Sequence, residues 1–96
     1  MSEPLIRKRL RFSGRVQGVG FRWRARHAAN AVGATGWVRN ERGGEVSLEL
    51  QGSEAQIDRV LAALESAPYV HIEDFSSQSV PVEPEERGFS VLDDLW

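Results

Sequence analysis

Twice along this chain the apolar residues change rhythm, from every second position to every third or fourth, and that alternation constrains the fold more than any single residue does. Ile6, Leu10 and Phe12 share one face of an extended segment and Arg7, Arg9 and Arg11 the other, with Lys8 as the exception. That is the pattern of a half-buried strand. After a run of glycines, Phe21, Ala25, Ala28, Ala29 and Val32 recur at helical spacing until Gly33, which predicts a helix over about residues 22–32. "TGWVRN" (35–40) and "EVSLELQG" (45–52) alternate again on either side of the turn residues "ERGG", predicting a hairpin. Ser53, with Gln56 three positions later, has the form of a capping box. Ile57, Val60, Leu61 and Leu64 then mark the apolar face of a second helix running to Ala67 and Pro68. Tyr69–Phe75 and Phe89–Leu92 read as closing strands, and the polar "SSQSVPVEPEERG" between them as an exposed connection.

The order is strand, helix, strand, strand, helix, strand, with a short extra strand at the end. It predicts an α+β fold of the ferredoxin-like split β-α-β plan, with both helices packed on one face of an antiparallel sheet. At 96 residues the chain is long enough for one modest core and too short for two, so residues 1–96 read as a single domain. No apolar run approaches a membrane span, and Arg7, Lys8, Arg9 and Arg11 near the start precede no apolar stretch of a secretory signal. The chain has no cysteine, which excludes disulfides, thiolate catalysis and cysteine-ligated zinc and suits a reducing cytoplasm. His27 and His71 stand far apart without metal-ligand spacing, so neither a metal nor another cofactor is expected.

Charge is distributed unevenly. Residues 1–27 hold eight Lys/Arg against Glu3 alone, whereas residues 28–96 hold four against thirteen acids. A positive patch that draws an anion is one reading of this asymmetry. Basic strand faces paired with acidic neighbours across a sheet is the other, and it fits most of these side chains better.

The glycine run carries the strongest functional signal. In "FSGRVQGVGFRWRAR" (12–26), glycines at 14, 18 and 20 precede an arginine at the predicted helix start. Backbone N–H groups without intrahelical partners, the positive end of a helix dipole and a guanidinium together make an anion cradle. A turn that is glycine-rich for steric reasons alone accounts for the same residues. The spacing matches neither the P-loop nor the dinucleotide fingerprint.

Read together, "GRVQGVGFR" (14–22) and "GWVRN" (36–40) resemble the two signature segments of the acylphosphatase family, G-x-V-Q-G-V-x-F-R and G-W-V-x-N, in the same order. The resemblance runs from residue 5 to about 92. It departs at Gly43-Gly44, where the family commonly has Asp-Gly, at Ala34, often Leu, and at Trp96, which has no family equivalent. The family implies that Arg22 grips phosphoryl oxygens and that Asn40 positions the attacking water. It also implies that the loop of Val16, Gln17, Gly18, Val19, Gly20 and Phe21 binds phosphate. The chemistry of these residues is consistent with those roles. A guanidinium stays charged and offers a planar fork, and a carboxamide donates and accepts without titrating. Strand parity puts Val38 and Asn40 on one face and Trp37 and Arg39 on the other.

The implied reaction is metal-independent hydrolysis of a small acyl phosphate to a carboxylate and inorganic phosphate, by in-line attack of water. The expected protein is a cytoplasmic monomer whose partner is that small substrate, with no nucleic acid and no membrane. Three alternatives share the topology. A carbamoyl-phosphate-handling domain belongs to larger proteins, and the end of this chain at Trp96 favours a free-standing enzyme. A regulatory small-ligand domain finds no ligand-specific feature here. A non-catalytic RNA-binding module reads bases with aromatic residues on central strands, whereas "EVSLEL" carries acids and no aromatic.

Overall fold

The computed structural model describes residues 3–92. Its elements are β1 (Ile6–Arg15), α1 (Phe21–Val32), β2 (Thr35–Asn40), β3 (Val46–Gly52), α2 (Glu54–Glu65), β4 (His71–Val80) and β5 (Phe89–Val91). They form one five-stranded sheet in the order β4-β1-β3-β2-β5. The first four strands pair antiparallel as the ferredoxin-like plan requires, but β5 runs parallel to β2, so the complete sheet is mixed. The expected two-helix layer is present: Phe21, Ala25 and Ala29 of α1 and Ile57, Val60 and Leu64 of α2 share one core with Leu10, Phe12, Val38, Val46, Leu48 and Leu50 of the sheet. Alanine at the α1 contact lets the helix approach closely, and branched or aromatic residues fill the sheet side. The exceptional Lys8 is half-buried.

The start of α2 is legible in local chemistry. The Ser53 hydroxyl accepts from the Gln56 amide at 3.2 Å and the Gln56 side chain accepts from the Ser53 amide at 2.7 Å, completing the capping box of α2. Gln56 Nε2 also donates to the Val32 carbonyl at 2.7 Å, tying the end of α1 to the start of α2.

The segment after Phe75 differs from expectation. Ser76–Val80 is not part of a connection but the second half of β4, paired with Arg7–Arg11 of β1. Its exposed serines and glutamine carry no hydrophobic alternation, because an edge strand is held by backbone hydrogen bonds and needs little from its side chains. The true connection, residues 81–88, crosses the sheet face opposite the helices from the β4 edge to the β5 edge. There Gln51 and Glu83 exchange hydrogen bonds at 2.7 and 3.0 Å. Arg7 meets Glu86 through both guanidinium ends at 2.7 and 3.0 Å and Glu49 through Nε at 2.6 Å. Arg7 is only 3% exposed, so under this strap the arginine is buried and held by carboxylates on two sides.

The same face resolves the charge asymmetry. Arg9 pairs with Glu49 at 3.4 Å, Arg11 with Glu45 at 3.2 Å and Arg39 with Glu41 at 3.4 Å. Arg9 and Arg39 also lie over the Trp37 ring, 5.5 and 5.1 Å from its centre. The basic face of β1 is therefore matched by acids on neighbouring strands and turns, the second of the two readings.

Candidate functional site

Three parts of the chain converge beside the start of α1. Val16 and Phe21, each 1% exposed, anchor the two ends of the loop in the core, and Val19 packs against it. Between them Gly18 (φ 73°) and Gly20 (φ 80°) take the left-handed conformation, which side chains disfavour and which turns successive N–H groups toward one side. A Cβ added at either would meet nothing within 4 Å. Their glycine identity is thus a requirement of backbone direction. Gly14 has a different reason: a Cβ there would come within 2.2 Å of the His71 carbonyl across the β1–β4 bulge, so it serves strand packing and not the loop.

Gly20 is the N-cap of α1 and has no side-chain capping bond, and the first turn contains no acid. The contrast with the fully capped α2, whose first turn includes Glu54, is informative. The first intrahelical bond is Arg24 N–H to the Gly20 carbonyl at 2.9 Å, which leaves the preceding amides and the helix dipole directed at whatever lies above the loop.

Above it lies a cleft of about 220 Å³ lined by Val16, Gly18, Gly20, Phe21, Arg22, Trp23, Asn40 and Val91. The two candidate catalytic residues, separated in sequence, thus face the same space. Asn40 ends β2 in register with Val46 of β3 and on the helix-facing side with Val38, as strand parity predicts. It is 5% exposed, and its Oδ1 has no hydrogen-bond partner among the described residues. Of the buried side-chain atoms in that condition, it is the one belonging to a residue that lines the cleft. A buried carbonyl oxygen without a donor is unfavourable by about 1–3 kcal/mol, and a water or substrate donor in the cleft removes that penalty.

Gln17 sits within the loop, but its side chain is directed elsewhere. Its Nε2 donates to the carbonyls of Glu41 and Glu45, both at 2.8 Å, bracing the loop against the β2–β3 turn immediately after Asn40. That turn is itself closed by Glu41 N–H to the Glu45 carbonyl at 2.7 Å and Gly44 N–H to the Glu41 carbonyl at 3.2 Å, so the Gly43-Gly44 pair forms an ordered turn. Glu41 follows Asn40, but its carboxylate belongs to the opposite sheet face. The neighbouring Ser47 hydroxyl, then Arg39 and Arg11, hold it below the ordinary carboxylate range despite burial. A larger hollow of about 430 Å³ beside β4 is lined by Glu65, Glu73 and Asp74 and is electrostatically unsuited to an anion.

Two residues of the cleft were not singled out from sequence. Trp23 falls off the apolar stripe of α1, a signal that it faces solvent, and Val91 enters only because β5 docks beside β2. Trp96, the C-terminal departure from the family pattern, lies outside the described residues.

Fold and cleft together define a class: a small α+β sandwich whose first helix opens on a left-handed glycine loop beside a cleft. The acylphosphatase family model matches residues 8–91. Over 89 residues the chain is 36% identical to an acylphosphatase of Roseiflexus sp., covering 92% of this chain and 96% of that one. Over 68 residues it is 48% identical to an acylphosphatase of Rhizobium etli, covering 71% and 72%. The solved structure of an acylphosphatase from Bacillus subtilis superimposes with a TM-score of 0.83 at 28% identity, over 91% of this chain and 98% of that one. The chain belongs to the acylphosphatase family.

Proposed function

We propose that this chain hydrolyses small acyl phosphates to a carboxylate and inorganic phosphate, with Arg22 and Asn40 as its catalytic side chains. The observation that carries the reading is their convergence, with the uncapped start of α1, on one cleft. The amides of residues 16–21 and the Arg22 guanidinium take the phosphoryl oxygens, spreading the charge that builds up on them during transfer. Asn40 Oδ1 accepts a hydrogen bond from the attacking water and leaves a water lone pair aimed at phosphorus. The new O–P bond forms as the bond to the carboxylate oxygen breaks. Because a carboxylate leaves readily, positioning and electrostatics suffice, and neither a general acid nor a metal is required.

The water proton needs an acceptor. Of the side chains lining the cleft, Arg22 is permanently charged and Asn40 does not titrate, and none of the others is a base. A phosphate oxygen of the substrate takes the proton.

The test is release of inorganic phosphate from acetyl phosphate in the presence of EDTA. Arg22→Gln is expected to abolish measurable turnover and weaken inorganic phosphate binding, as the fixed cation is lost while the loop amides remain. Near wild-type turnover by that variant would place the chemistry elsewhere. In the same reading the chain works as a monomer, since among the described residues one chain supplies the loop, Arg22 and Asn40, and it works in the cytoplasm, which its lack of cysteine suits. On the sheet face opposite the helices the central strands β1 and β3 carry Arg7, Arg9, Arg11, Ser47, Glu49 and Gln51, of which Arg7, Ser47 and Gln51 are buried, and neither strand places an aromatic there for a base to stack on.

A further inference from the structure

Trp23 is 66% exposed, the largest apolar ring at the cleft, and it immediately follows Arg22. Its indole lies flat against His27 one turn later on α1, ring centres 5.0 Å apart and planes 8° from parallel. Val91, 39% exposed, lines the same cleft from β5. Val91 is held by parallel pairing with Val38 and by the Leu92 N–H bond to the Val38 carbonyl at 2.9 Å. The cleft therefore has a polar floor of loop residues, Arg22 and Asn40, and an apolar lip made of a stacked aromatic face and a branched aliphatic side chain.

An acyl phosphate has the matching polarity along its own length. With the phosphoryl group at the floor, its R group leaves toward the lip. We propose that Trp23, with Val91, is a specificity-determining residue that selects flat, apolar acyl groups, aromatic ones above all, over short aliphatic ones. The inference rests on the acyl-phosphate reading of the cleft. Exposed tryptophan is unfavourable to leave hydrated, and a pre-oriented ring offers contact area at little entropic cost. The His27 stack supplies that orientation.

The experiment compares benzoyl phosphate with acetyl phosphate on the wild type, Trp23→Ala and Trp23→Phe, with binding of inorganic phosphate as a third readout. The ratio of kcat/KM for benzoyl over acetyl phosphate is expected to fall by about tenfold in Trp23→Ala, in the range of one lost aromatic contact. Trp23→Phe retains most of the ratio. The change falls chiefly in KM, because the ring touches the R group in ground state and transition state alike. An unchanged ratio in Trp23→Ala, or a parallel loss on both substrates, overturns the inference and leaves the catalytic reading standing. A wild type that turns over neither substrate while remaining folded overturns both.

Discussion

Asn40 and Gly18 show how differently single residues can serve one cleft. Asn40 is buried at the end of a strand, so its carboxamide is aimed by the sheet and needs no reorganisation when a substrate arrives. If it orients water and does not hold phosphate, Asn40→Ala lowers kcat by about 10²-fold or more while inorganic phosphate affinity stays nearly intact. Steady-state kinetics with calorimetric phosphate titration checks this, and a large affinity loss with kcat preserved contradicts it. Gly18 contributes a backbone direction instead. With φ at 73° and open space where a Cβ would stand, Gly18→Val meets no clash at that atom, but incurs the backbone strain of a left-handed β-branched residue, about 1–3 kcal/mol. To relieve that strain the loop must turn its amides, so phosphate affinity is expected to fall further than the melting temperature alone accounts for. A folded Gly18→Val protein that binds phosphate normally would rule out the cradle.

At the scale of elements, the proposed site is a junction: the β1–α1 loop and Asn40 of β2 border one cleft, and Gln17 fastens the two. Its Nε2 bridges the Glu41 and Glu45 carbonyls at 2.8 Å each. Gln17→Ala removes both bonds from a partly buried turn, and a stability loss of about 1–3 kcal/mol in urea unfolding is expected. Because the turn carries Asn40, kcat should fall as well, with inorganic phosphate affinity changing less than kcat. Unchanged stability together with unchanged kcat would show that the loop and strand hold their places without the brace.

The whole molecule is closed by the strap over the open sheet face, and this closure is acid-sensitive. Burial raises the Glu86 carboxyl, but Arg7 and the nearby Thr35 hydroxyl outweigh it and hold the group below its ordinary value of 4.5. A carboxyl depressed on folding contributes stability that is present above the unfolded value and lost as pH falls through the folded one. The melting temperature should therefore decline on acidification below about pH 4.5, as Glu86 and the likewise depressed Glu41 take up protons. Glu86→Gln, which keeps hydrogen-bonding atoms beside Arg7 but cannot titrate, is expected to flatten part of that decline in melts from pH 7 to 3. An identical slope in wild type and variant would remove Glu86 from the account.

Much of this was legible in residue order. Periodicity of two and of 3.6 placed β1, both helices and the hairpin, because burying one face forces an apolar repeat. The Ser53–Gln56 box was readable because capping is a local exchange of hydrogen bonds. The resemblance to the acylphosphatase family singled out Gly18, Gly20, Arg22 and Asn40, and the fold brings these four to one cleft. What the order of residues could not show is whatever depends on distant backbones meeting. Ser76–Val80 became strand only because β1 offered an unpaired edge, and β5 ran parallel to β2 only because the strap had first crossed the sheet. Arg7 looked like its solvated neighbours Arg9 and Arg11 until the strap arrived with Glu86. Trp23 and Val91 belong to one lip through the packing of α1 and β5 beside β2. Local propensity is written in neighbouring side chains; the burial of a charge and the walls of a cleft are properties of contacts across the sheet, decided only when the tertiary structure forms.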